Sequence, residues 1–245
     1  EADDDWDPME PIRIERPNDS NPYIEFRADR CILCAQCTRY CDEIEGVSAI
    51  TLSGRGSKTT ITTVDAKSLL ETTCELCGGC VAVCPTGAMT EKKPLLWEAP
   101  PERELEKIRT TCNYCGVGCQ MDLNVDKDAF GGKGRVVKVT SPEPDEGILH
   151  GNLCVKGRFA YDFVHHQERL KVPLIRGEDG ELHEATWAEA IERVKTGLQT
   201  TQKKYGNDAL AFISSSRCTG EENYLMQKLS RAVFGTNNIH QCAAT

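Results

Sequence analysis

A chain of 245 residues can bury one large core or two to three small ones, so size alone demands no covalent staples. With 39% hydrophobic and 27% charged residues it reads as a soluble protein, and no apolar run reaches the roughly 18 to 20 residues that a membrane span needs. A formal net charge of -9 argues against a nucleic-acid partner, whose surface would need a basic excess gathered on one face.

Residues 1–20, rich in Asp and Pro, read as a flexible lead-in without the order of a secretory signal or a twin-arginine pair, and the expected home is the cytoplasm. Disulfides are rare there, so the clustered cysteines among the fourteen are expected to bind metal. Order is expected to begin at Asn21-Pro22-Tyr23. Two cysteine runs of the same spacing follow, Cys31-Ile-Leu-Cys34-Ala-Gln-Cys37-Thr-Arg-Tyr-Cys41 and Cys74-Glu-Leu-Cys77-Gly-Gly-Cys80-Val-Ala-Val-Cys84-Pro85. They form an internal repeat, separated by Thr51 to Thr63, whose β-branched alternation predicts a hairpin. Pro100-Pro101 and the charged residues after it predict a linker running into a helix or an extended connection between Glu98 and Arg109. A third group, Cys112, Cys115 and Cys119 with Cys154 as its fourth member, brackets predicted strands at Met121 to Val125 and Val136 to Thr140 around the Gly131-Gly132-Lys133-Gly134 turn.

After Arg169 the pattern changes. Thr186-Trp-Ala-Glu189 is a capping box, and Trp187, Ile191, Val194 and Leu198 recur at helical spacing, so one face of that helix is expected to be buried. Ala209-Leu-Ala-Phe-Ile213 predicts a buried strand, Ser214 to Ser216 a turn, and Thr219-Gly-Glu-Glu222 a capping box opening a helix that runs to Gly235. Helix, strand and helix in that order predict the start of a doubly wound α/β domain, its sheet unfinished at Thr245.

The cysteine spacing carries the chemistry. Two intervening residues let successive sulfurs turn onto one centre, whereas three carry the last sulfur a helical turn further, facing elsewhere, as at Cys37 to Cys41 and Cys80 to Cys84. In two-cluster ferredoxins this geometry exchanges ligands, the fourth cysteine of each run serving the other run's cluster. The expected assignment is one [4Fe-4S] cluster on Cys31, Cys34, Cys37 and Cys84, and a second on Cys74, Cys77, Cys80 and Cys41. Zinc also takes four thiolates, but its usual signature is two separated pairs, and cysteines within so tight a turn rarely meet disulfide geometry. Ala35, Gly78, Gly79, Gly116 and Gly118 are small enough to bring backbone N–H groups up to the sulfurs. Asp42 stands where the first run would carry the proline that Pro85 supplies in the second. The histidine pair His165-His166 has no second ligand pair near it in sequence and reads as solvated or packed.

Together the two runs resemble the bacterial-type 2[4Fe-4S] ferredoxin module. Thr111-Cys-Asn-Tyr-Cys-Gly-Val-Gly-Cys119, Asn152-Leu-Cys-Val-Lys-Gly-Arg-Phe159 and Arg169-Leu-Lys-Val-Pro-Leu-Ile-Arg176 look like the N-terminal cluster domain of molybdopterin oxidoreductases. Ser214-Ser-Ser-Arg-Cys-Thr-Gly-Glu-Glu-Asn-Tyr-Leu-Met-Gln-Lys228 and Gly235-Thr-Asn-Asn238 are similar to the catalytic subunit of formate dehydrogenases. The resemblance runs from about Asn21 to the end of the chain and covers only the first part of such a subunit.

It implies an α+β fold class: after the lead-in at 1–20, a ferredoxin-like two-cluster domain at 21–105, a small β-rich [4Fe-4S] domain at 106–165, and the beginning of an α/β molybdopterin-binding domain at 166–245. It also implies a third [4Fe-4S] cluster on Cys112, Cys115, Cys119 and Cys154, beside a molybdenum or tungsten bis(molybdopterin guanine dinucleotide) cofactor, with Lys156 between cluster and pterin. Arg217, Cys218 and Asn223 lie where a strand's carboxyl end meets a helix N-terminus, which makes them candidates for contact with the pterin dinucleotide. In that family the active-site metal is held by a cysteine or selenocysteine followed by a catalytic histidine. The segment Asn237 to Thr245 resembles the approach to that ligand, which would fall just after Thr245. The expectation is an in-frame selenocysteine codon read as a stop, with a naturally short protein or a deliberately shortened chain as the alternatives, and a chain inactive by itself.

The function implied is the electron-transfer portion of a formate dehydrogenase interconverting formate and carbon dioxide. Electrons would pass from the pterin site through three clusters to a redox partner: a flavin subunit using NAD, a hydrogenase or a ferredoxin. The alternatives are a non-enzymatic iron-sulfur relay subunit, or another molybdopterin oxidoreductase such as a nitrate reductase or quinone oxidoreductase subunit.

Overall fold

The computed structural model describes residues 21–242; the lead-in expected at 1–20, and the final residues on which the selenocysteine expectation turns, lie outside them. The chain divides into two compact units, Glu1–Cys112 with Cys119–Asp162, and Asn113–Gly118 with Phe163–Thr245.

In the first unit, strand β1 (Ile24–Phe26) pairs antiparallel with β4 (Met89–Glu91), so the two ends of the cysteine-rich segment are tied together. Asn21 fixes the entry: its Oδ1 accepts the N–H groups of Tyr23 and Ile24 at 3.0 and 2.7 Å, and its Nδ2 donates to the Ile24 carbonyl at 2.8 Å. Between the strands the sequence repeat becomes a backbone repeat. Leu33 and Ala35 have φ of 57° and 59°, their counterparts Leu76 and Gly78 have 53° and 74°, and each pair leads into a one-turn helix. These helices are α1 (Gln36–Arg39), which runs on into a π-turn at Tyr40–Ile44, and α2 (Gly79–Ala82). The predicted hairpin is present as β2 (Thr51–Ser53) and β3 (Thr60–Thr62).

After α3 (Lys92–Leu96) comes an antiparallel sheet in the order β5 (Glu106–Thr111), β6 (Gln120–Asp126) and β7 (Arg135–Thr140). The stretch read as a linker into a helix or an extended connection takes a 3-10 turn at Glu102–Glu104 and then extends as the edge strand β5. A short turn, α4 (Ala129–Gly132), joins β6 to β7, with Phe130 and Gly131 left-handed at φ 55° and 67°. Val136, Val137 and Val139 of β7 are buried. Helix α5 (Val155–Phe159) delivers Phe159, wholly buried, into the core of Ile24, Ile50, Ile61, Leu69 and Met89, where its ring stacks on Tyr23 at 4.7 Å.

In the second unit, β8 (Leu174–Arg176) and β9 (Leu182–Glu184) form a hairpin. Helix α6 (Trp187–Tyr205) starts at the predicted box, with Thr186 Oγ1 accepting the Glu189 N–H at 3.3 Å and Glu189 Oε2 accepting the Thr186 N–H at 2.8 Å. Strand β10 (Phe212–Ser215), helix α7 (Gly220–Lys228) and strand β11 (Ile239–Cys242) make a parallel βαβ unit, with Phe212 opposite Ile239 in register.

Two expectations are corrected here. The apolar face of α6 is largely open, with Trp187, Ile191 and Val194 at 72%, 62% and 60% exposure and, of the four, only Leu198 half-buried. Heptad-like spacing specifies which face is apolar and says nothing of what covers it. The strand expected at Ala209 to Ile213 starts at Phe212 and takes in Ser214 and Ser215, where the sequence predicts a turn. Asn207–Ala209 is instead a 3-10 turn, and Asn238 Nδ2 pins it by donating to the carbonyls of Asp208 and Leu210 at 3.1 and 3.3 Å. Phe212 turns toward Phe234, ring centroids 5.3 Å apart, and the pleat then sends Ile213 to the open face, 72% exposed.

Candidate metal centres

Cys31, Cys34, Cys37 and Cys84 line one cavity, with Phe26, Ile61 and Met89 as its apolar wall. Cys41, Cys74, Cys77 and Cys80 line a second, walled by Ile24, Ile50, Leu69 and Met89. In each case the fourth cysteine of one run lies with the first three of the other. The cause is local. Each one-turn helix carries its third cysteine, and the three following residues rotate the fourth away, past the helix end. Among the described residues no three or more His, Cys, Asp or Glu side chains converge on one point as ligands of a single ion would. A lone zinc would draw four sulfurs to about 2.3 Å of one centre; these thiols border a space instead.

Three of these thiols, Cys37, Cys77 and Cys80, are hard to ionise without a cation. Burial pushes the Cys37 thiol up to about 11, with Cys31, Cys84 and Cys34 adding repulsion. Burial also pushes Cys77 up to about 11, and raises Cys80 further, with Cys77, Cys74, Cys37 and Cys41 contributing. Burial alone would raise Cys84 too, but the N–H groups of Met89, Thr86 and Ala88 and the Thr86 hydroxyl hold it below the ordinary range. Backbone donors reach other sulfurs as well: Leu33 to Cys31 at 3.4 Å, Ala49 to Cys41 at 3.3 Å, Leu76 to Cys74 at 3.4 Å and Gly79 to Cys77 at 3.5 Å. A cavity ringed by four repelling thiols and by N–H donors aimed at sulfur suits a polynuclear cation that neutralises thiolates.

The third group is divided. Cys112, Cys119 and Cys154 lie in the first unit and Cys115 in the second. The Cys112 N–H donates to the Cys119 carbonyl at 2.8 Å, Cys154 is the N-cap of α5, and a Cβ at Gly157 would sit 3.6 Å from Cys112 Sγ. Lys156 is half-buried on α5.

Within the second unit, the turn after Cys115 meets the β10–α7 loop, where a Cβ at Gly116 would lie 3.0 Å from the Ser216 carbonyl. The Ser216 hydroxyl is buried without a hydrogen-bond partner, so the loop holds a polar group suited to a polar ligand such as a pterin. Arg217 and Cys218 are exposed on this loop. Asn223 braces it: its Oδ1 accepts from the Ser214 hydroxyl, and its Nδ2 donates to the carbonyls of Ser215 at 3.3 Å and Thr219 at 3.0 Å.

Some of the arrangement was not read from the sequence. Gly78 and Gly79 do more than admit N–H groups. A Cβ at Gly78 would fall 2.2 Å from Arg158 Cδ, and one at Gly79 would fall 1.8 Å from Tyr40 Cε1, so two side chains occupy the space that these glycines leave. Arg158 is inside the quoted Asn152 to Phe159 motif and is buried; its Nε donates to the Cys77 carbonyl at 2.8 Å and its Nη2 to Ser141 Oγ at 3.0 Å. The Tyr40 hydroxyl bonds the side chains of Asn152 and Glu45. Glu91 is buried at 3% exposure with Tyr161 Oη donating to it at 2.8 Å, and burial raises its carboxyl to about 7. The signal for these contacts was weak: a charged or aromatic residue beside a ligand motif, with no period to mark it.

Comparison with known proteins gives three family matches in chain order. Residues 21–90 match the NADH-quinone oxidoreductase subunit 3 ferredoxin-like domain, 105–166 the molybdopterin oxidoreductase Fe4S4 domain, and 169–245 the molybdopterin oxidoreductase domain. Among similar proteins, "Putative formate dehydrogenase SH0748" of Staphylococcus haemolyticus is 33% identical over 92% of this chain and 26% of its own length. "NADPH-Fe(3+) oxidoreductase subunit alpha" of Geobacter sulfurreducens is 38% identical over 89% of this chain and 24% of its own length. The chain therefore spans about a quarter of the length of the curated relatives it matches. Among the described residues no helix is long and apolar enough to cross a membrane.

Proposed function

This chain carries the Fe4S4 and molybdopterin domains of the molybdopterin oxidoreductase family, and from that premise we propose that it is the electron-relaying N-terminal region of a formate dehydrogenase. The observation that carries the reading is the crossed pair of thiol quartets, Cys31, Cys34, Cys37 and Cys84 around one cavity and Cys41, Cys74, Cys77 and Cys80 around the other. Two [4Fe-4S] clusters there, and a third on Cys112, Cys115, Cys119 and Cys154, would supply one-electron carriers. The polypeptide excludes water with Ile24, Ile61, Leu69 and Met89, directs N–H dipoles at the sulfurs, and ties the two quartets into one core.

Candidate residues of this chain for holding a molybdenum or tungsten bis(molybdopterin guanine dinucleotide) are Lys156 on α5 and, on the Ser214–Thr219 loop, Arg217 and Cys218, both exposed. Asn223 shapes that loop. Formate as the substrate is supported by the motif Ser214 to Lys228 and by the relatives named for formate. Iron and sulfide analysis of anaerobically prepared protein tests the relay. About twelve irons per chain is the expected result; zinc, or no metal, overturns it. Formate-dependent reduction of these clusters in the complete enzyme tests the substrate.

A second reading, an iron-sulfur relay serving a nicotinamide-linked oxidoreductase, draws support from the 38% identical relative. Clusters reduced by NADPH and not by formate in the complete enzyme would favour it.

A further inference from the structure

Arg158 is 3% exposed, and a guanidinium keeps its proton at any relevant pH. A buried charge is expensive unless an opposite charge faces it. Its hydrogen bonds go to neutral oxygens, the Cys77 carbonyl at 2.8 Å and Ser141 Oγ at 3.0 Å. Burial works against its charge, and Tyr40, Cys77, Cys80 and Glu91 are the nearby groups whose anionic forms would offset that. Its stem is held in place because Gly78 leaves room for Cδ. One residue earlier on the same helix, Gly157 lies against Cys112, so α5 reaches cysteines of two different groups.

We propose that Arg158 sets the reduction potential of the cluster held by Cys41, Cys74, Cys77 and Cys80, by fixing a positive charge behind the Cys77–Gly78 turn. The inference rests on the reading that these four thiols hold a [4Fe-4S] cluster. Such a cluster with four thiolates is an anion, and one-electron reduction adds one more negative charge, so a buried cation favours the reduced form. Glu45, which lines the same cavity, acts in the opposite sense.

The test is an anaerobic redox titration of the full chain, followed by EPR, with dithionite supplying electrons; Cys77→Ser and Cys31→Ser identify which signal belongs to which quartet. Arg158→Gln and Arg158→Met are expected to lower the oxidised-to-reduced equilibrium of the Cys77 signal tenfold or more against reduction, about 59 mV for one electron. Arg158→Lys is expected to stay near wild type, Glu45→Gln to move the potential upward, and the Cys31 signal to hold still. Met preserves the stem's packing, so the pair separates lost charge from lost fold. If both neutral variants lose their iron, or if all signals move together, Arg158 is structural and the proposal falls. Full iron with an unmoved Cys77 signal overturns this inference alone, while a wild-type chain without clusters overturns the functional reading beneath it.

Discussion

Replacing Glu91 by glutamine should abolish a pH dependence that the native fold imposes on itself. The carboxyl sits at 3% exposure on β4, and burial raises it from an ordinary 4.5 to about 7 despite the Tyr161 hydroxyl at 2.8 Å and the attraction of Lys138, Lys93 and Arg158. A folded-state value above the unfolded one means that, between pH 4.5 and 7, the unfolded chain has released a proton that the native chain still holds. Stability therefore falls as pH rises through that window, by about 3 kcal/mol in all. Below it both states are protonated and the loss is absent; above it the loss is complete.

Glutamine keeps the shape and an oxygen for Tyr161 while removing the charge. The assay is urea unfolding of cluster-loaded wild type and Glu91→Gln, under anaerobic conditions, from pH 5 to 8. The wild type should lose stability across the range relative to the variant, the two converging at the acid end and differing by up to about 3 kcal/mol at pH 8. Profiles that run parallel over the whole range would refute the reasoning, because they would place the titration elsewhere.

Cys84→Ser should perturb the same EPR signal as Cys31→Ser, and Cys41→Ser the same signal as Cys74→Ser; the reverse pairing would show that each run holds its own cluster. Gly79→Ala puts a methyl carbon 1.8 Å from Tyr40 Cε1 and should cost about 1 to 3 kcal/mol in thermal unfolding, with recovery when Tyr40 is also cut back to alanine. Thr186→Ala removes the acceptor of the Glu189 N–H and should cost about 1 kcal/mol locally, seen as faster amide exchange in the first turn of α6 with the rest of the protection pattern unchanged.

What the sequence made legible was local. The two cysteine runs forecast the repeated turns at Leu33 to Ala35 and Leu76 to Gly78, because ligand spacing and backbone path are the same fact. Both capping boxes, at Thr186 and Thr219, open helices where expected, since a cap needs only three residues to agree. The failures came where the outcome depends on distant partners. Trp187, Ile191 and Val194 have a core-like period but stand open. Ile213 sits in an apolar run but takes the uncovered face, because Phe212 claims Phe234. The roles of Arg158 and Tyr40 are not legible in the sequence because the room they fill belongs to glycines about 80 and 40 residues away.

These long-range contacts also bear on how electrons could leave a cofactor site. Two separate family domains, 21–90 and 105–166, contribute to a single compact unit. Tyr23 stacks on Phe159 at 4.7 Å, Tyr161 reaches Glu91 at 2.8 Å, and Lys93 donates to the Phe159 carbonyl and pairs with Asp162. Each contact joins the strand-and-cysteine layer to α5 or the residues just after it, which follow Cys154. Electron tunnelling weakens steeply with distance, so a relay works only if its stations keep their spacing through thermal motion. A flexible tether between the domains would let that spacing drift, whereas aromatic stacking and buried polar pairs cannot loosen without exposing apolar surface or stranding a charge. If the proposed relay operates, the side chains that fasten the Cys154 helix to the ferredoxin-like segment would serve it alongside the sulfurs, by holding distance constant.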